Sequence, residues 1–117
     1  MTKNLAEPEC FALLANGRRR IALWVLRDIW NGKSKDHTRK LNRPLSIQEL
    51  AERVADDVYE NPSTDEIQEI RLTLYHMHLP YLEEADVISY NRDGKTIEPR
   101  PNFDTLLQFL EKIDEEK

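Results

Sequence analysis

Residues Thr64 to Glu98, TDEIQEIRLTLYHMHLPYLEEADVISYNRDGKTIE, read as one long helix running directly into a two-stranded hairpin. Ser63 or Thr64 offers an N-cap, and Asp65 and Glu66 place negative charge in the first turn, where the helix dipole favours it. Ile67, Leu72, Tyr75, Leu79 and Leu82 follow at spacings of three to five, which predicts an apolar stripe to about Ala85. VISY, the turn-forming NRDG and then KTIE alternate polar and apolar residues around a tight turn, the pattern of a hairpin. Pro80 lies inside the helix, where it lacks a backbone donor and is expected to kink or split it between His76 and Leu79.

The elements in front complete an architecture. Pro8 to Leu14 read as a short helix, and Asn16 caps a longer one from Gly17 to Trp30, with Ile21, Val25 and Ile29 inward and Ala22 and Leu26 widening the stripe. Asn31-Gly32 is a helix stop. KSKDHTRKLNR, without apolar periodicity, reads as a basic loop over residues 31–43. Pro44 and Leu45 start a very short strand, and Ser46 with Glu49 forms an S-x-x-E capping box for a helix to Val58, burying Ile47, Leu50, Ala51, Val54 and Val58. Two helices separated by a tight turn, the second flowing into a hairpin, predict a winged helix-turn-helix, mainly α with a small β-hairpin. We assign it residues 1–101. Residues 102–117 form an appended helix capped by Asn102.

The appended helix carries Phe103, Leu106, Leu107, Leu110 and Ile113 on one face. The stripe either packs on its own domain or meets its copy across a dimer axis; the second is expected here. Length excludes much else. A chain of 117 residues without internal repeats is one small domain. It holds no apolar run near the roughly 20 residues of a membrane span and no signal-peptide core, so a cytoplasmic protein is expected. Cys10 is alone and is read as a small buried apolar group.

The net charge of −5 conceals an asymmetry. Met1 to Ile47 carries ten Lys and Arg against four Asp and Glu, whereas Gln48 to Lys117 carries seven against eighteen. A basic front and an acidic back either orient the chain on a polyanion or simply cover a solvated surface. The abundance of acids also fits a high-salt cytoplasm, an inference that seven lysines weaken.

LLANGRRRIALWVL, PLSIQELAERVA and LYHMHLPYLEEADVISYNRDGKTIEP together resemble the small haloarchaeal winged-helix domains of unknown function, and more distantly the ArsR-type repressors. The resemblance covers Phe11 to Pro99, and its R-R-R, S-x-x-E-L-A and H-L-P-x-L elements are specific as a set. It implies a winged helix that binds double-stranded DNA, usually as a homodimer, with no cofactor. Two departures stand out. The loop 31–43 is longer than such repressors have, and Asp86 stands where a glycine usually ends the recognition helix; Asp can adopt the left-handed conformation at some cost. The repressors' metal-sensing residues have no counterpart here.

With Leu72, Tyr75, Leu79 and Leu82 inward, Gln68, Arg71, Thr73, His76 and Met77 are left to face a major groove, Arg71 and Gln68 reading bases and His76 contacting phosphate. Asp65, Glu66 and Glu69 oppose this, because the start of a recognition helix usually enters the groove. Arg92 and Lys95 at the hairpin tip can reach phosphates, or are ordinary tip charges. Lys33, Lys35, Arg39, Lys40 and Arg43 can clamp a DNA backbone or form a solvated linker. Arg18, Arg19 and Arg20 at a helix N-terminus need an offset for their unfavourable position: phosphate contact, or pairing with Glu83 and Glu84.

Catalytic motifs are missing from the sequence. His76 and His78 lie roughly 200° apart around a helix and cannot share a metal, and there is no zinc spacing, Gly-rich phosphate loop or G-x-S-x-G elbow. A non-enzymatic protein with no metal and no small-molecule ligand is expected. The alternative to a DNA-binding regulator is a winged helix used for protein contact.

Overall fold

The computed structural model describes residues 5–31 and 45–115. Its elements are α1 (Glu7–Leu14), α2 (Gly17–Asn31), β1 (Leu45–Ser46), α3 (Ile47–Val58), α4 (Thr64–Thr73), a π-helical turn (Leu74–His78), α5 (Leu79–Glu84), β2 (Ile88–Asn91), β3 (Thr96–Pro99) and α6 (Asn102–Glu115). Each N-terminus in the helix-turn-helix is closed by the expected residue. Asn16 Oδ1 accepts from the Arg19 amide at 3.0 Å and Ser46 Oγ from the Glu49 amide at 3.0 Å. Ser63 and Glu66 form a full capping box, each side chain accepting from the other's backbone, at 3.1 and 2.9 Å.

The three strands form one antiparallel sheet in the order β1-β3-β2. Leu45 faces Ile97 across the β1–β3 pair, and Tyr90 faces Ile97 across β2–β3. Pro99 closes β3 beyond the reach of the two-residue β1, so no ladder bond is sacrificed on that side. Helices α3 and α4 followed by the β2–β3 wing, with β1 completing the sheet, make a winged helix-turn-helix in an α+β fold.

The regular α-helix is interrupted where Pro80 is expected to act, by the π turn Leu74–His78, and resumes as α5. The Leu79 amide bonds back to the Leu74 carbonyl, five residues earlier, and this widened turn gives room to a proline that would clash with a carbonyl in a regular turn. The extra residue rotates everything after it by roughly 100°. Ile70, Leu74, Leu79 and Leu82 are buried, whereas Leu72 and Tyr75, read from their spacing as inward, are 54% and 43% exposed. The inward stripe is thus corrected: no single face of a helix with this insertion can bury both Leu72 and Leu79.

The helix ends in a left-handed residue, Asp86, at φ 61°. The Val87 amide bonds to Leu82 O at 2.9 Å and the Asp86 amide to Glu83 O at 3.0 Å, the Schellman pattern with Asp in the glycine position. Arg100 Nε holds the Asp86 carboxylate at 3.1 Å. Asn102 Nδ2 donates to Ala85 O at 2.9 Å, fastening the start of α6 to the end of α5.

The core joins all of the helices and the sheet. Leu23 and Leu26 of α2 and Leu50 and Val54 of α3 belong to it, as do Ile88 and Ile97 from the sheet. Phe103, Leu106, Leu107 and Leu110 are buried in this same core, and Phe103 stacks edge-on against Trp30 at 4.8 Å. The expectation that these four form a dimer contact is corrected, because α6 packs on α1 and α2 of its own chain and leaves only Ile113 of the stripe half-buried. Cys10 is buried, and burial together with Glu9 and Glu7 pushes its thiol pKa up.

Candidate nucleic-acid interface

The surface between the π turn and the wing is a groove of about 300 Å³. Two backbone links fix its walls: β1 pairs with β3, and the Ile47 amide at the start of α3 donates to Lys95 O at 3.0 Å. Across the groove Tyr75 meets Tyr90 edge-on at 6.0 Å. The wing turn is closed by Asn91 Oδ1, which accepts from the Asp93 and Gly94 amides, both at 3.0 Å. Lys95 then takes a left-handed φ of 56°, a conformation that disfavours a side chain with a Cβ.

Arg71 from the helix and Arg92 and Lys95 from the wing supply the groove's charge, and His76 adds an imidazole ring. Ile47, Leu72, Tyr75 and Tyr90 supply its apolar wall, and no carboxylate among the described residues lines it. Arg71 is half-buried, with its Nε covered and lacking an acceptor among the described residues. Arg92 lies over the Tyr90 ring at 5.6 Å and reaches Glu83 Oε1 at 3.5 Å, outside the lining.

The structure therefore brings together Arg71, His76, Arg92 and Lys95 of the expected contact residues, and separates the others from them. Gln68 is exposed on α4 but does not line the groove. Thr73 gives its hydroxyl proton to Glu69 O at 2.8 Å, so it is a poor candidate for base recognition. Met77 is 43% exposed and lies outside the groove. Lys33, Lys35, Arg39, Lys40 and Arg43 fall outside the described residues. Leu72, Tyr75 and Tyr90 were missed as groove residues. The signal that could have found the first two is Pro80, whose accommodation by a wide turn turns them outward.

Two of the three arginines, Arg19 and Arg20, have another use, and it is not the expected pairing with Glu83 and Glu84. Arg19 is buried; its Nη1 donates to Leu13 O at 3.1 Å and its Nε to His78 Nδ1 at 3.3 Å, while Arg20 donates to Leu14 O. Both guanidinium groups thus sit on the last carbonyls of α1, where a cation is favourable, and this offsets their cost at the start of α2. Arg19 also lies over Tyr81 at 4.9 Å. Because Nδ1 accepts, the neutral His78 ring carries its proton on Nε2. Burial, then the charges of Arg19 and Arg18, lower the His78 pKa to about 4.

No helix among the described residues is long and apolar enough to cross a membrane. Searches of curated proteins and of solved structures find no match to the chain. A family model described as a domain of unknown function, DUF7344, matches residues 11–98. That match takes in everything from the end of α1 through the wing, and the chain therefore belongs to the DUF7344 family.

Proposed function

We propose that the protein binds duplex DNA through the groove between the π turn and the wing, as a regulator of transcription. One observation carries this reading. In a chain with 22 Asp and Glu against 17 Lys and Arg, four basic side chains from two elements meet on the face a winged helix turns to DNA, with no acid among them. The acids Asp65 and Glu66 at the start of α4 shift the contact from the tip of the helix to its middle and the wing. The resemblance to haloarchaeal winged-helix domains and ArsR-type repressors supports the same reading and implies a homodimer. The dimer contact then lies outside the buried α6 stripe; Phe11, 49% exposed and edge-on to Phe109, marks the apolar edge that remains.

Affinity for duplex should fall as salt rises, and replacing Arg92 and Lys95 together by Ala should reduce the slope of log K against log salt by about 2. Fluorescence anisotropy of a labelled duplex measures this; no binding at low salt refutes the reading. A second reading, docking of a protein partner, is favoured by the exposed Leu72, Tyr75, Met77 and Tyr81 on one helix. Replacing Met77 and Tyr81, which lie outside the groove, distinguishes the two, since duplex affinity should not change.

A further inference from the structure

The groove holds features that a phosphate backbone alone would leave unused. Its cations surround a wall of Ile47, Leu72, Tyr75 and Tyr90, and its volume of about 300 Å³ is at the lower end of small-molecule sites. Arg71 lies in it half-buried, with a covered Nε that has no acceptor among the described residues. A covered donor on a charged group is costly to leave unpaired, and native folds hold few of them.

We propose that this groove binds a small organic anion: a carboxylate or phosphate monoester on a flat apolar body. The anionic group sits on the Arg71 guanidinium, whose planar fork suits two-oxygen acceptors. Arg92 and Lys95 add charge around it and His76 a polar ring, and the body lies against Leu72 and Tyr75, which the π turn leaves facing out. An uncharged apolar ligand would offer the Arg71 guanidinium no acceptor. A phosphodiester would leave the apolar wall bare. Because Arg92 and Lys95 also belong to the DNA surface, the bound anion excludes duplex; this last step rests on the DNA-binding reading.

The test is a titration of the full chain, followed by ¹⁵N NMR at constant ionic strength, with benzoate and phenyl phosphate, and with benzyl alcohol and inorganic phosphate as controls. Both aromatic anions should give saturable shifts at the Arg71 Nε–H and at the amides of residues 71–76 and 90–95. The two arms show which anionic group is preferred. Arg71→Gln should weaken binding at least about tenfold. Leu72→Glu, at an exposed position, should do the same without touching the fold. Non-saturating shifts, benzoate binding unchanged in both variants, or inorganic phosphate binding as tightly as phenyl phosphate would each overturn the proposal. Saturating benzoate should also release labelled duplex, and duplex retained on a saturated groove would overturn the exclusion. If no duplex binds at any salt, the DNA reading falls, while the benzoate titration still decides the groove.

Discussion

Lowering the pH from about 7.5 to 5 should cost the fold about 2 kcal/mol through one residue, His78. In the native chain this imidazole is 1% exposed, and it accepts a hydrogen bond from Arg19, a cation that cannot yield its place to a second proton. Its pKa is lowered from 6.5 to about 4. The unfolded chain therefore binds the proton first. The stabilisation is fully present above 6.5 and is lost as the pH falls through the window down to about 4, where the whole difference amounts to about 3 kcal/mol. Within that window the slope approaches about 1.4 kcal/mol per pH unit, the value for one proton. Urea unfolding at a series of pH values measures it. His78→Gln, whose amide oxygen can still accept from Arg19, should be less stable at neutral pH but should lose about 2 kcal/mol less than the native chain between pH 7.5 and 5. Identical pH dependence in the two proteins, or a His78 ring that titrates near 6.5 by NMR, would refute the reasoning.

Other outcomes follow from packing and caps. Leu106→Ala should destabilise by about 2–5 kcal/mol in urea, since the side chain is fully buried within the chain, and the loss should not depend on protein concentration. A concentration-dependent loss would restore the stripe to a dimer contact. Leu72→Ser should change stability by no more than about 0.5 kcal/mol, and Leu79→Ala should cost about 2–5, although the two stand seven residues apart. Equal costs would mean that the phase shift of the π turn is absent. Ser63→Ala should cost about 1 kcal/mol and lower the midpoint without altering the slope against urea, because it removes one side of a two-sided cap.

The legible parts of the fold were those set by short-range chemistry. Asn16, Ser46 and Ser63 fixed three helix starts, because an N-cap is decided within four residues of chain. The hairpin follows from the same local rules, and the structure adds that Lys95 in its turn is left-handed. Asp86 was anticipated as a left-handed helix end, and it is one. The candidate site was half legible. Arg71, His76, Arg92 and Lys95 are legible from their places on the helix and the wing, but their aromatic wall is not, because spacing alone puts Tyr75 in the core and Tyr90 merely in a strand.

By itself, then, the sequence determined the order of the elements, their caps, the winged-helix topology and the charge that the wing presents. These depend on periodicity, on turn residues and on side chains that act on their own backbone. Tertiary structure alone decided which face of the long helix is buried, because the widened turn that accommodates Pro80 shifts the helical phase by an amount no fixed period can express. It also decided that Arg19 ends on His78, 59 residues away, and that the apolar stripe of α6 fills its own core. Such pairings are choices among many possible neighbours, and burial competes for all of them at once.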